Sequence, residues 1–110
     1  MGIISDIFGK RAKERAIRLK IIKKLDGRAI KYVIERLPDD EFVIGRSGAL
    51  ILKGDELLVY ADEKVLFRAD INTLDASELL SLEGVILTAP DLEHGGATRT
   101  IVAYYTYFMA

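Results

Sequence analysis

Apolar and polar positions follow two different periods along the chain, and the change comes close to residue 40. Residues 10–25, KRAKERAIRLKIIKKL, contain no Gly, Pro or Asn and are rich in Ala, Arg, Lys and Leu, all of which favour helix. Ile17, Ile21 and Leu25 recur at four-residue spacing with Ile22 beside them, so one face of that helix is apolar. Asp26-Gly27 is its expected end, because Gly tolerates the left-handed conformation that terminates helices. Ile30, Val33, Ile34 and Leu37 then sit at i, i+3, i+4 and i+7, which predicts a second helix over residues 28–37. Pro38 disfavours helical geometry at Leu37 and stops it there. Ile30-Lys31-Tyr32-Val33-Ile34 also reads as a strand, and the spacing favours the helix.

From residue 42 the pattern becomes extended. Phe42–Arg46, Ala49–Lys53, Glu56–Ala61 and Lys64–Ala69 are short aliphatic and aromatic runs separated by Ser47-Gly48, Gly54-Asp55 and Asp62-Glu63. Such spacing predicts consecutive antiparallel hairpins. Residues 70–83 are less regular, and Leu79, Leu80 and Leu82 read as a strand or a brief helical turn. Val85–Thr88 is a clear strand after Gly84, APDLEHGGA over 89–97 a polar loop, and residues 98–109 a final strand rich in β-branched and aromatic residues. Both alternation faces are partly apolar, Leu57 and Val59 on one and Leu58 and Tyr60 on the other. A sheet of that kind either closes on itself or lies between helices. The fold class expected is α+β: a basic amphipathic helical pair over residues 1–37, then a strongly bent antiparallel β-meander over 38–110 forming a roll or barrel, the two segments making one structural unit. Leu50, Leu52, Val59, Phe67, Val85, Leu87, Ile101 and Tyr105 are the expected core.

The opening MGIISDIFGK adds a further apolar face. Ile3, Ile4, Ile7 and Phe8 can share one side of a helix, with Lys10 and Arg11 following. That pattern fits a short interfacial membrane anchor, or a flap that packs on its own domain or on a partner. Gly9 interrupts it and Asp6 opposes anionic lipid, so membrane contact is the less favoured reading.

Composition narrows the class. With 110 residues, half of them hydrophobic and 30% charged, the chain has the material for one packed domain and not for disorder. The absence of Cys excludes a disulfide framework and a thiol nucleophile. No apolar run approaches the roughly 20 residues of a membrane span, and basic residues follow the first apolar cluster instead of preceding it, so the expected location is cytoplasmic. The net charge of −1 conceals a division: residues 1–36 hold eleven Lys/Arg and four Asp/Glu (+7), and residues 37–110 hold five and thirteen (−8). A solvated basic helix face beside an acidic domain, or docking of one on the other, accounts for it before a nucleic acid does.

Candidate chemistry is sparse. His94 is the one histidine, and it shares a Gly-containing loop with Asp91 and Glu93, where neither helical nor sheet spacing aligns the three. An ordinary exposed histidine is expected, with no metal, since zinc wants three or four such ligands. Gly95-Gly96 lacks the Lys-Ser/Thr of a phosphate loop. Gly45–Gly48 reads as a turn between strands, and Asp39–Glu41 as a solvated turn after Pro38. Tyr104, Tyr105, Tyr107 and Phe108 are candidate interface residues, because an acidic surround opposes the nucleic-acid backbone that stacking aromatics would otherwise suggest.

GALILKGDELLVYADEKVLFRADI, extended by SELLSLEGVILTAPD and TIVAYYTYF, resembles the bacterial pleckstrin-homology-like families, the group that includes GRAM-type domains, over about residues 42–109. The resemblance implies a bent antiparallel roll and a role in binding lipid headgroups, peptides or proteins. Two features depart from it: no helix is read after the last strand, and the first hairpin loop carries only Arg46 and Lys53 nearby where lipid-binding members hold a basic cluster. The expectation is a non-catalytic binding or scaffolding module without cofactor or small-molecule substrate, its partner a protein and quite readily a second copy of itself. A membrane-peripheral adaptor that touches anionic lipid through its basic N-terminus is the alternative.

Overall fold

The computed structural model describes residues 15–106. Readings made on Ile3, Ile4, Ile7, Phe8, Lys10, Arg11, Tyr107 and Phe108 lie outside those residues. The described chain opens in a helix, α1, over residues 15–25, and stops where Gly27 turns left-handed at φ 80°. That end is stitched to the sheet. The Gly27 amide donates to the Leu50 carbonyl at 2.8 Å, the Leu50 amide to the Arg28 carbonyl at 2.9 Å, and the Leu52 amide to Asp26 Oδ1 at 2.9 Å. These bonds set the rotation of α1 about its axis, so Ile22 and Leu25 are buried, Ile21 only partly, and Ile17 is 60% exposed. The apolar stripe is therefore turned away from the one expected.

The second helix is not formed. Residues Ala29–Arg36 are strand β1, followed by β2 (Glu41–Lys53), β3 (Glu56–Ala61), β4 (Lys64–Asp70), β5 (Asp75–Glu78), β6 (Gly84–Pro90) and β7 (Thr98–Tyr105). All pairings are antiparallel in one seven-stranded sheet of order β4-β3-β2-β1-β7-β6-β5, with β1 at its centre. The described fold is thus mostly sheet with one helix, and not a helical pair followed by a meander.

The helical spacing of β1 has a β explanation. Against β7 the register steps from Ile30↔Tyr105 to Tyr32↔Tyr104, leaving Lys31 as an extra residue. Against β2 it steps from Val33↔Gly45 to Ile34↔Val43, leaving Ile44 over. Such bulges change which face the following residues occupy. Ile30 and Val33, three apart, consequently both enter the core, while Tyr32 and Ile34 face outward. A short isolated helix is marginal in water, whereas a central strand gains two hydrogen-bonded ladders.

Ser47-Gly48 is likewise not a hairpin turn. It lies inside the long strand β2, where Ser47 has φ 53°. A Cβ on Gly48 would stand 1.8 Å from the Tyr60 carbonyl oxygen, so glycine alone permits β3 to cross β2 this closely. Residues 79–83, read as strand or helical turn, form the turn between β5 and β6, with the Leu79 amide on the Gly84 carbonyl and Leu80 fully exposed.

The sheet curls so that β4 approaches β6, but β4 and β5 remain its edges and no ladder joins them. The expected closed roll is therefore corrected to an open sheet. One core fills the inner face under α1: Leu50, Leu57, Val59, Phe67, Leu74, Val85, Leu87 and Ile101 are fully buried with Ile22, Leu25, Ile30 and Val33. Of the expected core, Leu52 alone is only partly buried.

Candidate functional site

Polar side chains span the gap where the ladder fails. Asp91, at the end of β6, is the buried charged residue of the described chain, and both of its oxygens are fully engaged. Oδ1 accepts from the amides of Arg68 (3.2 Å) and Glu93 (3.0 Å); Oδ2 accepts from His94 Nδ1 (2.6 Å) and from the Arg99 guanidinium. Arg99 also donates to both oxygens of Glu35, at 2.8 and 3.0 Å, and to the Leu66 carbonyl. Arg68 pairs with Glu56 and Glu93, and its carbonyl accepts the Leu92 amide. The edge of β4 is thereby tied to β6, β7 and their loop by side chains in place of strand pairing, which blunts an edge that would otherwise invite association.

Electrostatics follow the same contacts. Burial raises the Asp91 carboxyl, but hydrogen bonds from His94, Arg99 and two amides outweigh it and hold the group below its usual value. Arg99 holds Glu35 low, against burial. Glu35 and then Asp91 keep Arg99 charged far beyond any working pH, against burial. The loop thus brings Asp91 and His94 together without helical or sheet spacing. With a carboxylate on Nδ1, the imidazole donates there. His94 is 53% exposed, its hydrogen-bond partner is Asp91, and no hydroxyl among the described residues bonds to it. The geometry is that of a clamp. No three His, Asp or Glu residues among those described are grouped to hold a metal ion.

The outer face carries different chemistry. Two adjacent cross-strand rows run over it, Val43-Ile34-Val102-Ile86 and Arg46-Tyr32-Tyr104-Gly84, on β2, β1, β7 and β6 in turn. Side chains in such rows stand on one face and touch. Ile34 and Val102 are buried as a floor, while the rings of Tyr32 and Tyr104 stack above at 4.7 Å between centroids and 25° between planes. This stack is a ridge between two grooves. One, of about 390 Å³, is lined by Tyr32, Ile34, Glu41, Val43, Arg46 and Tyr104. The other, of about 160 Å³, is lined by Lys31, Tyr32, Glu83, Tyr104 and Tyr105. Val43 is 42% exposed. Glu41 meets Arg36 at 3.4 Å, whereas the Arg46 guanidinium has no partner among the described residues.

The candidate interface residues therefore part company. Tyr104 lies on the outer ridge; Tyr105 is 4% exposed, faces inward and has the Arg28 guanidinium 3.9 Å above its ring. Tyr32 and Ile34 were hidden by the helical reading of β1, and the aromatic alternation of β7 was the one signal that pointed here. On α1, Lys20, Lys23 and Lys24 are exposed, and no ion pair joins the helix to the acidic sheet among the described residues. No described helix is long and apolar enough to cross a membrane. No family model, curated protein or solved structure matches the chain.

Proposed function

We propose that the chain is a non-catalytic protein-interaction module whose docking surface is the outer face of β1, β2 and β7. The observation that carries this reading is the aromatic ridge with its apolar groove, which no described residue covers. The described helix lies on the inner face, and the second helix expected beside it is itself a strand of the sheet. Contiguous exposed apolar surface rimmed by polar groups is what interaction sites present. Tyr and Arg, which form the ridge and the rim here, are enriched in interfaces.

The test is a photo-crosslinking amino acid at Val43, compared in living cells with the same group at Lys53, an exposed position at the far end of β2. Covalent adducts are expected from position 43 and not from position 53. No adduct at 43 above the level at 53 would end the reading.

A further inference from the structure

We infer that the partner is a second copy of this chain, docked two-fold through the same ridge and grooves; this rests on the docking surface just proposed. A two-fold interface puts the same patch on both sides, so the patch must complement itself: where residue i meets j, j also meets i. Convex and concave elements must therefore occur together, as must positive and negative ones. The outer face meets both conditions. The Tyr32–Tyr104 stack is the convex element and lies between two concave ones. The larger groove is wide enough at about 390 Å³ to receive aromatic side chains, and its apolar lining includes buried Ile34 and exposed Val43.

Charge follows the same rule. Each groove is lined by one acid and one base, Glu41 with Arg46 on one side of the ridge and Glu83 with Lys31 on the other. A partner of uniform charge would leave one sign unmatched in each groove. A second copy turned about a two-fold axis sets Arg46 of one chain against Glu41 of the other, twice. Arg46 is available for this, since its guanidinium has no partner among the described residues. Glu41 is held only by an exposed 3.4 Å contact to Arg36, the kind of surface pair that contributes little.

The experiment is sedimentation equilibrium on the full chain at physiological salt and high micromolar concentration. The native chain is expected at twice the mass of the 12.3 kDa monomer. Val43→Glu puts a charge into the groove at an exposed position, so the fold should survive, as denaturation would verify. Glu41→Arg and Arg46→Glu each set like charges together twice. Val43→Glu would bury a charge in an apolar groove and the two reversals would oppose like charges, so each of the three variants should weaken association at least about tenfold. Mixing the Glu41→Arg chain with the Arg46→Glu chain restores opposite charges at both contacts, and the doubled mass should return in the mixture alone.

A single-chain mass throughout overturns the inference. So does a dimer indifferent to all three variants, which would use another surface. A chain that dimerises only after removal of residues 1–14 overturns it as well, since its own N-terminal segment would then cover the ridge. Adducts at Val43 to a different protein, with a monomeric native chain, would refute the second copy and leave the docking surface standing.

Discussion

Replacing Asp91 by Ala removes the carboxylate that ties the free edge of β4 to β6 and β7. The side chain is fully buried and accepts four hydrogen bonds, two from backbone amides, one from His94 and one from Arg99. Arg99 keeps Glu35 and the Leu66 carbonyl after the change, so it is not left alone. The amides of Arg68 and Glu93 lose their acceptor, and each unsatisfied donor costs about 1–3 kcal/mol, nearer the lower figure where water can enter the loop. Breaking a buried charge pair costs about 3–5 kcal/mol when the remaining charge has nothing else, and Glu35 reduces that here. Together the loss for Asp91→Ala should be about 3–5 kcal/mol, a large share of the roughly 5–15 kcal/mol that holds a domain of this size. Urea denaturation should show a lower midpoint at unchanged slope, because the core buried on folding is the same. His94→Ala is the matched control. Its ring is 53% exposed, so deleting it should cost less than about 1 kcal/mol. A loss below about 1 kcal/mol for Asp91→Ala would show that the gap is held by the core alone and that the clamp is ornamental.

Two further outcomes follow from the same geometry. Acid should loosen the clamp: Asp91 and Glu35 both lie below their ordinary values of about 3.9 and 4.3, so their contribution is fully present above those values and fades as pH falls through the lower folded ones. Unfolding free energy measured against pH should fall on the acid side less steeply in Asp91→Ala than in the native chain, and equal slopes would refute the assignment. Phe67→Ala, at a fully buried central position in β4, should lose about 3–5 kcal/mol in the same denaturation, and a change under about 1 kcal/mol would place the ring outside the core.

The sequence was most legible on β6 and β7, where Leu87 and Ile101 were identifiable as core because alternation and pairing agree there. Leu50, Val59 and Phe67 were legible from their apolar runs, although β4 is an edge strand and a register shift beside Val59 leaves Leu66 over. The helix stop at Gly27 was legible too, since positive φ and glycine coincide. Legibility failed at the bulges. Lys31 and Ile44 shift parity on β1 and β2, and the shifted pattern of β1 imitates a helical repeat. At Ser47-Gly48 the expected turn between strands is a bend inside one strand, for the positive φ of Ser47 and the close approach of β3 at Gly48 need the same residue types as a turn. The Asp91 clamp was hidden for another reason. Its donors come from positions 68, 93, 94 and 99, and the partner Glu35 lies 64 residues from Arg99, so no local spacing could announce it.

The charge division gains a different meaning once the contacts are placed. The basic N-terminal segment and the acidic remainder invited the idea of a helix held by charge, yet α1 is held by Ile22, Leu25 and backbone hydrogen bonds to β2. The few cations of the acidic part matter more. Arg68 and Arg99 each engage two carboxylates around the open edge, which neutralises acids that would otherwise repel across it. Arg46 belongs to the same acidic part but faces outward beside Tyr32, where no carboxylate of the described chain pairs with its guanidinium. An unpaired cation at the mouth of an apolar groove, in a region otherwise rich in acids, selects for an acidic group arriving from outside. The other acid-lined side of that groove, at Glu41, selects equally for a base. The proposed two-fold dimer would meet both demands at once, and the charge exchange between Glu41 and Arg46 puts that to a direct test.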